Sequence, residues 1–164
     1  MLHVSAATTT FYHVLESRLY SSMALTQQQH DFLSDPDGKL FAILATLNPD
    51  GTVQQTVMWY ELRDDAIVMN TTASRVKSRN LGRDKRVSIC VPDGYRYMTV
   101  TGTAELDSDP EVARASIRRL IERYSDETDP VKREAESAEQ AEMYMKSARV
   151  QITVPIEHIV MWGF

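Results

Sequence analysis

Apolar and polar positions alternate in short runs along most of the chain, and turn residues separate the runs. Leu40-Phe41-Ala42-Ile43-Leu44-Ala45-Thr46-Leu47 is an apolar stretch of strand length, followed by Asn48-Pro49-Asp50-Gly51. Proline fixes φ and glycine frees it, so this tetrapeptide predicts a tight reversal and a returning strand from Val53 to Leu62. The pair Asp64-Asp65 predicts a second turn and a third strand, Ala66 to Thr71, in meander order with the first two. Val87, Ile89 and Val91 alternate with Ser88 and Cys90, which predicts a half-buried strand in which Cys90 acts as a small buried hydrophobe. Pro92-Asp93-Gly94 turns the chain into a long strand from Tyr95 to Leu106; Met98, Val100, Ala104 and Leu106 share one face, and Gly102 marks a bend. Val150, Ile152, Val154 and Ile156 form a last strand that runs on toward Trp162 after Pro155 interrupts the pairing.

Helical signals fill the gaps. Thr26 is an N-cap for a short helix through Phe32 and Leu33, ended by the turn Asp35-Pro36-Asp37-Gly38. A helix near residues 74–82 is expected to stop at Gly82. Asp109-Pro110 and Asp129-Pro130 each join a cap acceptor to a proline at the first helical position. The first of these helices carries an apolar stripe, Ile117, Leu120, Ile121 and Tyr124, to lay on the sheet; the second, to about Lys146, is charged and reads as solvated. A weaker pattern in Phe11, Val14, Leu15 and Leu19 assigns residues 1–25 to an N-terminal arm, flexible or appended, ahead of a compact domain over residues 26–164. Strands joined by short turns, with helices inserted, predict an α+β fold around an antiparallel β-barrel rather than alternating βαβ units.

Composition narrows the function. A length of 164 residues suits one domain, and a net charge of −5 with 25% charged residues gives no basic field for nucleic acid. Cys90 is the single cysteine, so neither an internal disulfide nor a multi-cysteine metal site can form within one chain, and a cytoplasmic setting is expected. No apolar run reaches the roughly 18–20 residues of a membrane span, and no export signal is read. The four histidines show no metal-like spacing, and the six glycines form none of the usual phosphate loops. No metal, membrane or nucleic-acid partner is expected.

One segment carries chemistry: Met69-Asn70-Thr71-Thr72-Ala73-Ser74-Arg75-Val76-Lys77-Ser78-Arg79-Asn80-Leu81, a strand end running into a helix start. A helix N-terminus is partially positive, so each cation in its first turn costs about 0.3–1 kcal/mol. Arg75, Lys77 and Arg79 nevertheless crowd that turn beside the hydroxyls of Thr71, Thr72 and Ser74. Two readings stand at this level: solvated surface charges, or a phosphate site in which amides, hydroxyls and cations converge on one anion.

The blocks LATLNPDGTVQQTVMWYE, IVMNTTASRVKSRNLGRDKRVSICV and YMTVTGTAEL, in this order, resemble the pyridoxamine-phosphate-oxidase-like split barrel, and within it the flavin/deazaflavin oxidoreductase branch whose members are described as coenzyme F420-dependent. The resemblance covers residues 27–164. It implies a split antiparallel barrel of about six strands with peripheral helices, and a homodimer with the cofactor at the subunit junction. It also implies hydride transfer between a phosphate-bearing deazaflavin, coenzyme F420, and a small unsaturated or oxidised organic substrate. By the same resemblance Arg75 and Lys77 hold the cofactor phosphate with Thr72 and Ser74, and Arg79 reaches a polyglutamate tail. Asn70 and Thr71 flank the ribityl chain, and Thr56, Val57, Met58 and Trp59 touch the ring, largely through backbone. Trp162 and Phe164 would wall the site from the partner subunit. Family oxidases that use FMN place a second arginine–lysine pair on the second strand, whereas Gln54-Gln55-Thr56-Val57-Met58-Trp59-Tyr60 has neither, which favours the deazaflavin. FMN in the same fold, or a barrel that binds a flavin without turnover, are the alternatives. No side chain is assigned as a catalytic acid or base, because the cofactor carries the chemistry. Trp59 by itself reads more readily as packing than as a substrate platform.

Overall fold

The computed structural model describes residues 24–34, 37 and 39–164, so all but the last two residues of the expected N-terminal arm, and three of the four residues of the Asp35–Gly38 turn, lie outside the described residues. Among the described residues nine strands form two antiparallel sheets: a five-stranded one and a four-stranded one. The strands are β1 (Ala42–Leu47), β2 (Val53–Met58), β3 (Glu61–Arg63), β4 (Ala66–Thr72), β5 (Arg86–Asp93), β6 (Arg96–Thr103), β7 (Glu105–Asp107), β8 (Arg149–Pro155) and β9 (His158–Trp162). The orders are β2-β1-β5-β6-β9 and β3-β4-β8-β7. The sheets face each other across a core that includes Leu33, Leu44, Met69, Ile89, Met98 and Ile152. This is the split barrel.

The turns form as the side chains dictate. Gly51 takes φ +83° between β1 and β2, and Asp50 accepts from the Thr52 amide at 3.0 Å. Asp64 and Asp65 both adopt positive φ, 52° and 55°, which lets a two-residue loop join β3 to β4.

The expected count of about six strands becomes nine because three long segments each cross from one sheet to the other. The segment 53–63 splits into β2 and β3, which lie in different sheets, so the first strands form no meander. The break follows from Trp59 and Tyr60: the Trp59 ring stacks on Tyr124 at 5.2 Å, and the Tyr60 amide donates to the Tyr124 hydroxyl at 3.3 Å instead of to a strand. The segments 96–107 and 149–162 split in the same way into β6/β7 and β8/β9. Gly102 stands at that crossing, where a β-carbon would meet the Pro155 carbonyl oxygen at 2.2 Å.

Among the described residues four helices lie around the sheets: α1 (Gln27–Ser34), α2 (Val76–Arg83), α3 (Pro110–Tyr124) and α4 (Pro130–Met145). Thr26 caps α1 reciprocally with Gln29, whose side chain accepts from the Thr26 amide at 2.9 Å. Asp109 and Asp129 cap α3 and α4, each accepting from two amides. Helix α3 packs on β4 and β8, as its apolar stripe requires, while α4 buries only Ser137 and Ala141. Gly82 lies inside α2 and does not end it; its φ is not positive, and the helix closes at an extended Asp84 whose amide bonds to Asn80 O. Cys90 is half-buried on the outward face of β5, since Val87, Ile89 and Val91 take the inward positions.

Candidate functional site

Helix α2 is tied to one sheet at its start and to the other along its body. At its start, Thr72 of β4 pairs with Arg149 of β8, and the Ala73 amide donates to Ala148 O at 2.9 Å. At its far end, the Arg83 guanidinium donates to the Leu47 carbonyl. Asn80 donates from Nδ2 to Thr46 Oγ1 at 3.1 Å and to Asn48 Oδ1 at 2.9 Å. Thr46 passes the bond to Gln54 Oε1 at 3.2 Å, and Gln54 Nε2 donates to Thr56 Oγ1. Four side chains therefore link α2 to the edge strand β2.

The N-terminus of α2 is open. Arg75 occupies the cap position with φ −71° and ψ 152° and offers no side-chain cap, and the first turn contains no acid. The amides of Val76 and Lys77 have no hydrogen-bond partner among the described residues. The hydroxyls of Thr72 and Ser74 are likewise free there, while Arg79 folds back to donate from Nη1 to Ser74 O at 2.6 Å. Lys77 is 8% exposed yet makes no hydrogen bond or ion pair with any described residue. Its burial holds the ammonium below the usual lysine range, and the charge of Arg75 acts in the same direction. A near-buried cation next to another cation, with free amides and hydroxyls around it, is an arrangement that an anion would satisfy.

The other arginines make the contrast. On α3, Arg114 reaches Glu142 at 2.8 Å, Arg118 reaches Glu134 at 3.0 Å, and Arg119 reaches Glu61 at 2.8 Å.

The expected site residues fall into two sets. Asn70, Thr71, Thr72, Ser74, Arg75, Lys77 and Arg79 converge at the β4–α2 corner. The carboxamide of Asn70, however, is engaged at both ends: Nδ2 donates to Ala113 O at 3.0 Å, and Oδ1 accepts from Arg149 Nε at 2.5 Å. The β2 set stands on the outer edge of the five-stranded sheet, which the Asn80 relay links to α2. Thr56 is half-buried, Val57 is exposed, Met58 enters the core, and Trp59 packs into the Ile117–Ile121 cluster. An edge strand leaves alternate peptide groups unpaired, which suits contact through backbone. Neither Arg149 nor the bonding role of Asn80 was foreseen from sequence: the β4–β8 pairing brings Arg149 to the corner, and Asn80, on α2 itself, finds its partners only because that helix packs against β1. Trp162 is exposed, whereas Phe164 packs edge-on against Phe32 at 4.8 Å.

Among the described residues no cluster of three or more His, Cys, Asp or Glu could hold a metal ion, and no helix is long and apolar enough to cross a membrane.

The sequence pattern described as pyridoxamine 5'-phosphate oxidase matches residues 25–162. The chain belongs to this family. Solved structures agree with the assignment. A conserved hypothetical protein from Mycobacterium tuberculosis is 26% identical with a TM-score of 0.69, over 87% of this chain and 88% of that one. A structure named F420 reductase is 28% identical with a TM-score of 0.61, over 82% of this chain and 98% of that one. A heme-binding protein from Mycobacterium smegmatis, 19% identical with a TM-score of 0.57 over 86% of this chain and 56% of that one, shares the fold alone. As a pyridoxamine 5'-phosphate oxidase family member the chain carries a fold for which flavin binding and redox chemistry are the family setting.

Proposed function

We propose that the chain is an oxidoreductase that binds coenzyme F420 by its phosphate at the β4–α2 corner and passes hydride to a small unsaturated or oxidised organic substrate. The observation that carries this reading is Lys77, near-buried, unpartnered among the described residues and beside Arg75 at an uncapped helix start. Similarity to the structure named F420 reductase supports the choice of coenzyme, as does the absence of a basic residue in β2.

Arg75, Lys77, the Thr72 and Ser74 hydroxyls and the Val76 and Lys77 amides would hold the phosphate. When bound, the coenzyme supplies the hydride. The chain's own part is to anchor the charged end, align the ring along β2 and exclude water. The Asn80–Thr46–Gln54–Thr56 relay fixes β2 relative to the anchor, so the two sets keep a constant separation.

A homodimer would complete the site. One row crosses the outer face of the five-stranded sheet, Val57–Ile43–Cys90–Thr99–Val160, without a charge. Val57 is 65% and Val160 62% exposed at its ends, and a second copy of this face would cover both.

Titration of the purified protein with coenzyme F420 and with FMN, followed by fluorescence, tests the coenzyme. Binding of F420 in preference to FMN is expected; tight FMN binding without F420 binding overturns the choice. Substrate-dependent reoxidation of the reduced coenzyme is expected too, and its absence across unsaturated and oxidised substrates would leave a binding module.

A further inference from the structure

The register between β4 and β8 brings a third cation to the corner. Arg149 lies opposite Thr72, and its guanidinium is oriented from two sides: Nε donates to Asn70 Oδ1 at 2.5 Å, and the Tyr144 ring lies beneath it at 5.0 Å. Its two terminal nitrogens make no hydrogen bond with any described residue. Burial draws its pKa below the usual arginine value, and Arg75 is close enough to act in the same direction. Arg75 thus acts on both Lys77 and Arg149, and no carboxylate among the described residues is paired with any of the three.

We propose that Arg149 is an anion-holding residue of this corner and selects a ligand end that bears more than one negative charge over a singly charged one. The inference rests on the reading above and extends it. A single phosphodiester charge would offset one cation and leave two repelling each other in a partly dry setting. A phosphate monoester, or a phosphodiester with a carboxylate close behind, matches the three. The guanidinium is already shaped for such an anion, because Asn70 and Tyr144 fix its plane and its outer fork remains available for two parallel hydrogen bonds to oxygen. Asn70, itself fixed by Ala113 O, is the positioning residue behind it.

The test uses the intact chain and the variants Arg149→Gln, Arg149→Lys and Lys77→Met. Each is titrated with coenzyme F420, with FMN, with inorganic pyrophosphate and with dimethyl phosphate, the last carrying a single charge. Wild type is expected to prefer pyrophosphate to dimethyl phosphate by about tenfold or more, and Arg149→Gln to lose both that preference and about tenfold in coenzyme affinity. Arg149→Lys is expected to recover part of each. If Arg149→Gln keeps wild-type affinity and preference within about twofold while Lys77→Met loses the coenzyme, the inference falls and the proposed function stands. If neither coenzyme binds but pyrophosphate binds through Arg149, the inference stands and the coenzyme assignment falls. A wild-type protein that responds to neither coenzyme nor pyrophosphate overturns both.

Discussion

Asn70 and Arg149, 79 residues apart along the chain, meet at 2.5 Å, and the amide end of the same Asn70 side chain donates to Ala113 O in α3 at 3.0 Å. One buried carboxamide therefore joins the anion corner to the helix that packs behind it. Replacing Asn70 by Leu strips the Arg149 Nε–H of its acceptor and the Ala113 carbonyl of its second donor, and costs about 1–3 kcal/mol. Thermal denaturation should show a clearly lower Tm, and coenzyme affinity should fall with it. A variant with wild-type Tm would mean the carboxamide bonds contribute nothing net.

Lys77 predicts a trade between stability and binding. Its pKa in the folded chain is lowered from about 10.5, so its charge disfavours folding, and the penalty is fully present below the folded pKa. As pH rises from the folded value toward 10.5 the folded chain releases the proton first and the penalty fades. Lys77→Met should melt higher than wild type at neutral pH, with the gap closing in alkaline buffer. The same variant should lose coenzyme affinity. Tm against pH for both proteins checks the sign; a gap that widens with pH contradicts it.

At Gly102 a methyl group would stand 2.2 Å from Pro155 O and 3.0 Å from Val154 Cγ1. The backbone oxygen cannot move aside without breaking the β8 ladder. Gly102→Ala should cost at least about 1–3 kcal/mol in urea denaturation, and near wild-type stability would show that the two strands can spread apart.

Val57 separates assembly from folding. It projects from the outer face of β2, so Val57→Glu should leave the fold of one subunit intact. Light scattering is expected to give twice the chain mass for the wild type and a single chain mass for the variant, with weakened coenzyme binding. A variant that remains dimeric excludes this face as the interface.

Much of the fold was readable because its causes are local. Alternation marked the inward positions of β5, β6 and β8, an apolar run of strand length marked β1, and the Asp-Pro pairs at Asp109 and Asp129 placed both long helices at their first residue. The strand breaks were hidden because they depend on partners: Tyr60 leaves β2 to meet Tyr124, a residue of a helix far along the chain. Gly82 misled for a related reason, since its neighbour Leu81 is fully buried and holds the helix through the glycine. At the site, Arg75 and Lys77 were visible because they sit two residues apart, against the field of their own helix. Arg149 carried no such mark, since nothing near it in sequence is chemically unusual and only the β4–β8 register moves it to the corner.

The three segments that pass between the sheets have a mechanical consequence. Neither layer can swing or peel away alone, because every crossing strand would have to snap its pairing in both, including the Ala104-to-Lys85 and Glu157-to-Thr101 bonds at the junctions. The barrel should melt as one unit in a single transition, with its slowest-exchanging amides at the crossings. Such a body cannot close over a ligand by bending. Any gating must come from its rim, where α2 starts and the uncovered sheet face begins.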